Sequence, residues 1–256
     1  MFGFFKKRRR ARLRSAPMPR EWLGIIKRNF PLYNRLPPED QAELCGHIQV
    51  FVSEKHFEGC GGLDITDEIR LTIAAQACLL LLHRNSQYYR HLTSILVYPT
   101  AYLAKAINPD GLGVITEDEF PRLGEAWSHG TVVLSWDDVR HGAADIHDGQ
   151  NVVLHEFAHV LDGETGDTEG APVLEQRSRY VTWARVLGQA YEKLQRDTAL
   201  GNPTVLNEYG ATNPAEFFAV ATEAFFEKPK QLKKKHPKLY DELRAFFKQD
   251  PVSYVR

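Results

Sequence analysis

Cysteine is scarce in this chain, and its scarcity excludes two ways of stabilising a fold. Among 256 residues there are three cysteines, Cys45, Cys60 and Cys78. Their number is odd and they form no C-x-x-C pair, so neither a disulfide framework nor an all-cysteine zinc site is expected. Such usage is typical of proteins in a reducing compartment. We therefore expect a cytoplasmic protein.

Long apolar runs and an excess of charge are also absent. The longest strongly apolar run, Leu71 to Leu82, contains a glutamine and is too short to span a bilayer. The amino terminus has its charges after its apolar residues and no cleavage site, which excludes a secretory signal. The 32 lysines and arginines nearly balance the 33 acidic residues, giving a net charge of -1. This balance provides no electrostatic basis for direct binding of nucleic acid.

The one strongly charged segment is the head of the chain. From Lys6 to Arg14 there are two lysines and five arginines, and three phenylalanines stand among the first five residues. Short runs of like charge are usually solvated, so residues 1–18 are predicted to form a disordered basic tail. The alternative is a weak contact with an anionic membrane surface. Residues 19–256 are predicted to form a single domain.

Hydrophobic periodicity places the predicted strands in the first half of the chain and makes most of the second half helical. Strands are predicted at 54–58, 94–98, 113–116 and 131–136. Helices are predicted at 20–29, from 38 onward, and at 67–84, 149–161, 172–196, 214–226 and 239–248. This order indicates an α+β fold, a mostly helical domain with a small sheet preceding the fourth predicted helix, rather than a wound parallel sheet.

The chemistry is concentrated in residues 155–159, which read His-Glu-Phe-Ala-His, an H-E-x-x-H motif. On a helix, residues i and i+4 share a face, so His155 and His159 can bind one metal ion. Zinc accepts neutral imidazole nitrogen readily. Glu156 is predicted to take the proton of the attacking water and pass it to the leaving amine. The apolar residues on either side indicate a buried helix, on which such polar side chains are costly unless a metal satisfies them.

A catalytic zinc site needs a third protein ligand and one open position. No histidine stands at the spacing of the H-E-x-x-H-x-x-G-x-x-H enzymes. Asp162 follows the motif by three residues and can either bind the ion or orient an imidazole. Glu216 and Glu223 lie on a later helix, whose start is marked by Asn213 as the cap and a proline after it. Spacing alone does not choose between the two glutamates.

The segments VVLHEFAHVLDGETGD and EYGATNPAEFFAVATEAFFEKP resemble the Mlc titration factor A family of zinc peptidases. Weaker matches are SILVYPTAYL and GTVVLSWDDV, and the resemblance extends from about residue 22 to about residue 251 without covering the basic head. It implies a gluzincin-type site in which Glu216, in the N-P-A-E segment, is the third zinc ligand. It also implies that Tyr209 donates a hydrogen bond to the oxyanion of the tetrahedral intermediate. Asp162 and Glu223 then become candidates for orienting the ligands.

The resemblance further implies one Zn²⁺ per chain and hydrolysis of peptide bonds, by an aminopeptidase-like enzyme or an oligopeptidase. A narrower group of family members binds the transcriptional repressor Mlc. The alternative function is therefore a regulatory protein that sequesters a repressor, with the zinc site weakly active or structural. This chain differs from that group in its basic head and in residues 189–206. A peptide substrate is expected to add as a strand to a sheet edge, and residues 131–136 form either that edge or an interior strand.

Overall fold

The computed structural model describes residues 2–85, 87–101, 124–127, 130–166 and 169–254. Helices dominate these residues, and a small sheet precedes the helix that carries the H-E-x-x-H motif. The predicted α+β class is therefore confirmed. None of the helices among the described residues is long and apolar enough to cross a membrane.

The elements follow the predicted order closely. The helices are α1 (Phe2–Ser15), α2 (Arg20–Asn29), α3 (Pro38–Glu54), α4 (Asp67–Leu79), α5 (Trp136–Ala144), α6 (Val152–Asp162), α7 (Arg179–Ala199), α8 (Pro214–Glu227), α9 (Pro229–Lys235) and α10 (Pro237–Phe247). The strands are β1 (His56–Gly59), β2 (Ser94–Tyr98), β3 (Gly124–Trp127) and β4 (Thr131–Ser135). The sequence did not predict α1, α5, α9 and β3, and the predicted strand at 113–116 lies outside the described residues.

The sheet has the strand order β1-β2-β4-β3. The pairs β1–β2 and β2–β4 are parallel, whereas β3 runs antiparallel to β4. Strand β4 is therefore an interior strand, and of the two alternatives for residues 131–136 the sheet edge is wrong. The described edge beside β4 is β3. Strand β4 is paired on both sides, by β2 and β3. Its Val132 and Leu134 side chains are fully buried, which explains why the strand is mostly apolar.

The basic head is a helix, so the prediction of a disordered tail is wrong. Arg10 in α1 donates hydrogen bonds to both carboxylate oxygens of Glu54 in α3, at 2.8 and 2.7 Å. Gln49 donates to the backbone oxygen of Ala16 at 2.8 Å. Such a two-pronged bond between guanidinium and carboxylate fixes geometry as well as charge. The charge run alone could not reveal a partner 44 residues away.

Helix α6 is anchored in the core by its apolar face. Phe157 is fully buried, and its ring centroid lies 4.8 Å from that of Tyr89 and 5.7 Å from that of Phe51. Burying a phenylalanine stabilises a fold by about 1.5–3 kcal/mol. The helix begins at Asn151, whose side-chain oxygen accepts a hydrogen bond from the N–H of Leu154 at 3.0 Å. The prediction of a buried helix around the motif is confirmed.

Helix α8 lies against α6 and is buried from Phe217 to Glu227. Asn213 caps it as predicted, since its side-chain oxygen accepts from the N–H of Glu216 at 2.9 Å. Phe217, Phe218 and Phe225 are each at most 1% exposed. The ring of Phe225 lies 5.6 Å from that of Phe247 in α10. Because apolar side chains hold α8 in place, the glutamates on its remaining face have fixed positions relative to α6.

Candidate metal centre

Three side chains from α6 and α8 meet at one point. The Nε2 atom of His155 lies 3.0 Å from Oε2 of Glu216 and 3.2 Å from Nε2 of His159. The Nε2 atom of His159 lies 3.4 Å from the same Glu216 oxygen. One potential ligand atom from each residue lies within 4.8 Å of the others. The fold thus brings together the two motif histidines and the first glutamate of α8.

The electrostatics of this group favour a cation. Burial would raise the pKa of Glu216, but hydrogen bonds from His155 and His159 lower that pKa to about 2. Burial opposes protonation of His155, yet its hydrogen bonds with Glu216 and Glu223 raise its pKa well above 6.5. Without a metal ion, a proton on His155 offsets part of the negative charge of the two glutamates. A divalent cation at the same point supplies that positive charge instead.

Glu223 stands behind His155, on the side away from Glu216. Its Oε1 lies 2.8 Å from Nδ1 of His155, and its Oε2 accepts from the N–H of Asn151 at 2.6 Å. A carboxylate on Nδ1 keeps the proton there, which leaves Nε2 free to bind a metal. The position of Glu223 therefore suits an orienting residue rather than a ligand.

Asp162 is not brought together with the three converging side chains. It is fully buried, and its Oδ2 accepts a hydrogen bond from the N–H of Gly170 at 2.7 Å. Burial raises its pKa, and backbone hydrogen bonds from Gly170 and Ala171 oppose that rise. The carbonyl of Gly170 in turn accepts from Trp183 in α7 at 3.0 Å. Asp162 thus ties the chain after α6 to α7, and its position gives no support to metal binding.

The two predicted catalytic side chains differ in how far they are exposed. Glu156 is next to the first ligand on α6 and is only 3% exposed. Tyr209, in the turn before α8, is 56% exposed, and its ring centroid lies 6.0 Å from that of His155. The turn is held by Asn207, whose side chain accepts from the N–H of Tyr209 at 2.9 Å. The phenol therefore lies beside the centre on its solvent side.

Sequence reasoning missed a second line of polar contacts behind Glu223. The side-chain amide of Asn151 donates to Glu227 at 3.0 Å and to the carbonyl of Gly142 at 2.9 Å. Burial, together with the nearby charges of Glu223 and Asp148, raises the pKa of Glu227 well above 4.5, against a lowering by its bond from Asn151. The spacing offered a signal, because Glu227 follows Glu223 by four residues and shares its helical face.

The residues present fit a divalent metal ion. Two imidazole nitrogens and one carboxylate form the donor set of catalytic zinc sites, and three protein donors leave a position open. The side chains of His155, His159 and Glu216 keep 15%, 12% and 17% of their surface exposed, so the centre faces solvent on one side. The carboxylate on Nδ1 of His155 is the supporting contact that such ligands usually have.

Comparison with known proteins supports the same assignment. The model of the glucose-regulated metallo-peptidase M90 family matches residues 5–248. An uncharacterized protein of Synechocystis sp. is 41% identical over 246 residues, which are 95% of this chain and 89% of that protein. The Mlc titration factor A of Klebsiella pneumoniae is 30% identical over 247 residues, 94% of this chain and 90% of that protein. That of Salmonella arizonae is 28% identical over 241 residues, with coverages of 92% and 94%.

The predicted resemblance is confirmed and extends further than expected. The matched region begins at residue 5, inside α1, so the basic head is not outside it as the sequence had suggested. Together with the donor set on α6 and α8, the match places the protein among metallopeptidase-like proteins. The chain belongs to the glucose-regulated metallo-peptidase M90 family.

Proposed function

We propose that this protein is a cytoplasmic zinc-dependent peptidase that hydrolyses peptide bonds with water. The convergence of His155, His159 and Glu216 carries the proposal, because it forms a three-donor site with a solvent-facing side. A zinc ion bound there supplies a Lewis acid that polarises a carbonyl and lowers the pKa of water. Aminopeptidase-like and oligopeptidase action both fit this chemistry.

The protein's own side chains divide the remaining work. Glu156 takes the proton from the attacking water and delivers it to the leaving amine. Tyr209 donates a hydrogen bond to the oxygen of the tetrahedral intermediate, for which its exposed position beside His155 is suited. Glu223 holds His155 with Nε2 directed at the centre.

Metal content of the purified chain is the first test of this proposal. We expect about one zinc per chain in the wild type, as in other catalytic zinc sites, and its loss in His155→Ala and in Glu216→Ala. If Glu216→Ala retains zinc, a residue other than Glu216 is the third ligand. A folded wild type that binds no zinc when zinc is supplied would overturn the proposal.

A second candidate function is the binding of a transcriptional repressor, with the zinc site weakly active or structural. It is supported by relatives named Mlc titration factor A that align with more than nine-tenths of this chain. Repressor binding that survives both removal of zinc and Glu156→Gln would favour this role. Binding that disappears with the metal, in a protein with measured peptidase activity, would favour the enzyme.

A further inference from the structure

Helix α1 is attached to the body of the protein along one side. The guanidinium of Arg10 forks onto Glu54 and lies 4.7 Å from the centre of the Tyr88 ring. A Cβ atom built on Gly46 of α3 would lie 2.9 Å from the backbone oxygen of Arg14. Contacts this close require glycine, so α3 is shaped to receive α1.

The opposite side of α1 carries exposed aromatic rings. Phe4 is 69% exposed and Phe5 is 61% exposed, which makes them two of the few large apolar side chains on the surface of the described residues. Neighbouring exposed aromatic residues at one end of a helix are costly in water and indicate an interaction site.

Two exposed arginines lie beside these rings. Arg8 and Arg12 follow Phe4 at four and eight residues, so all three project from the same face. Both arginines are exposed. The ion pairs that α1 makes with described residues involve Lys6, Arg10 and Arg14, and neither Arg8 nor Arg12 belongs to one.

We propose that the outward face of α1 binds an anionic lipid bilayer. Phe4 and Phe5 lie at the boundary between headgroups and acyl chains, and Arg8 and Arg12 contact lipid phosphates. Aromatic rings are favoured at the headgroup level of a bilayer, and basic residues near the surface are attracted to anionic lipids. A polyanion such as nucleic acid needs a broad basic surface, whereas this chain has a net charge of -1. With few charges and two rings, the contact is weak and reversible.

Co-sedimentation of the full chain with lipid vesicles tests this proposal. The vesicles contain either phosphatidylcholine alone or phosphatidylcholine with one third phosphatidylglycerol. We expect binding to the anionic vesicles only. Each basic residue near such a surface strengthens binding about fivefold, so Arg8→Glu/Arg12→Glu, which removes two of them, weakens it at least about twenty-five-fold. Phe4→Ser/Phe5→Ser weakens it by about tenfold, since the rings then no longer bury apolar surface.

The control variant is Lys234→Glu/Lys235→Glu in α9, which changes two exposed lysines and alters the net charge equally. It should bind vesicles within about twofold of the wild type, because these lysines lie outside α1. Circular dichroism checks that each variant keeps its helices. Equal losses in the control and in the arginine variant would overturn the proposal, as would no binding of wild type to anionic vesicles. Binding of a DNA duplex at the same salt, unaffected by Phe4→Ser/Phe5→Ser, in place of vesicle binding would also overturn it.

Discussion

The helix pairs α6–α8 and α1–α3 are each joined by a glutamate that accepts hydrogen bonds from a basic side chain. In α6–α8, Glu223 accepts from His155, and in α1–α3, Glu54 accepts from Arg10. The two bridges are similarly buried, with side-chain exposures of 8–15% and 11–13%. They differ in whether the basic side chain keeps a nitrogen atom that the glutamate does not engage and that faces a site.

In α1–α3 both prongs of the Arg10 guanidinium are engaged by the carboxylate, so the bridge attaches one helix to another. In α6–α8 only Nδ1 of His155 is engaged by Glu223, and Nε2 still faces His159 and Glu216. The same bridge thus serves attachment in one place and orientation of a ligand in the other. A buried ion pair indicates a functional role when one of its side chains has a further donor or acceptor atom directed at a binding site.

The largest expected effect tests the chemistry at α6. Glu156→Gln should lower turnover of a peptide substrate by about a thousandfold, because the proton transfers lose their base. Zinc content should stay at the wild-type value. Glu192→Gln, at an exposed position of α7, is the matched control and should be fully active. An active Glu156→Gln enzyme would remove Glu156 from the mechanism.

The next effect compares the two bridges directly, by the same substitution in each. Glu223→Gln should weaken zinc affinity by about 10–100-fold, since the imidazole of His155 loses its orienting charge. Glu54→Gln should leave zinc affinity and activity unchanged, because Arg10 has no part in the site. Competition against a zinc chelator measures both affinities. Equal zinc affinities in the two variants would contradict the difference drawn between the bridges.

A smaller effect is expected where α1 meets α3. Gly46→Ala should push α1 away, because the new methyl group meets a backbone atom at 2.9 Å. Limited trypsin digestion should then cleave within α1 several-fold faster than in the wild type. Gly24→Ala is the matched control, since a Cβ there has open space and alanine favours α2 by about 1 kcal/mol. Unchanged cleavage in Gly46→Ala would mean that this close contact does not hold α1.

The smallest effect is a pH dependence in the metal-free protein. The pKa of Glu216 is lowered from 4.5 to about 2 in the fold. Its ionised form therefore contributes stability that is fully present above pH 4.5 and is lost as the pH falls toward 2. The difference in urea midpoint between wild type and Glu216→Gln should narrow over that range. A difference that stays constant would show that the charge of Glu216 contributes no stability.

The sequence predicted contacts between residues that lie close together along the chain, and it missed contacts between residues that lie far apart. His155 and His159 are four residues apart on one helix, so helical geometry alone placed them together. The choice of Glu216 over Glu223 required either the family resemblance or the packing of α8, because both lie on one helix. The contact between Asn151 and Glu227 spans 76 residues and was missed. The attachment of α1 was missed for the same reason, since the run of arginines looks solvated until Glu54 is brought beside it.

Short elements were missed for a local reason. Helix α5 begins directly after β4, with Ser135 as its cap, so a strand pattern passes into a helix without an intervening turn. Its nine residues include a glycine, and the four lysines among the seven residues of α9 resemble an ordinary charged loop. Propensity over so few residues gives a weak signal, and packing against longer helices decides their structure.

Asn151 has a consequence for how the centre is assembled. Its side-chain oxygen starts α6, its N–H is bonded to Glu223, and its side-chain amide is bonded to Glu227. The start of the ligand-bearing helix and its docking onto α8 therefore form at one residue. Folding of α6 and alignment of His155 should be a single cooperative event, so a chain arrested before α8 docks has the motif but no competent zinc site. Far-ultraviolet circular dichroism and zinc-binding capacity should be lost at the same urea concentration, and separate transitions would contradict this coupling.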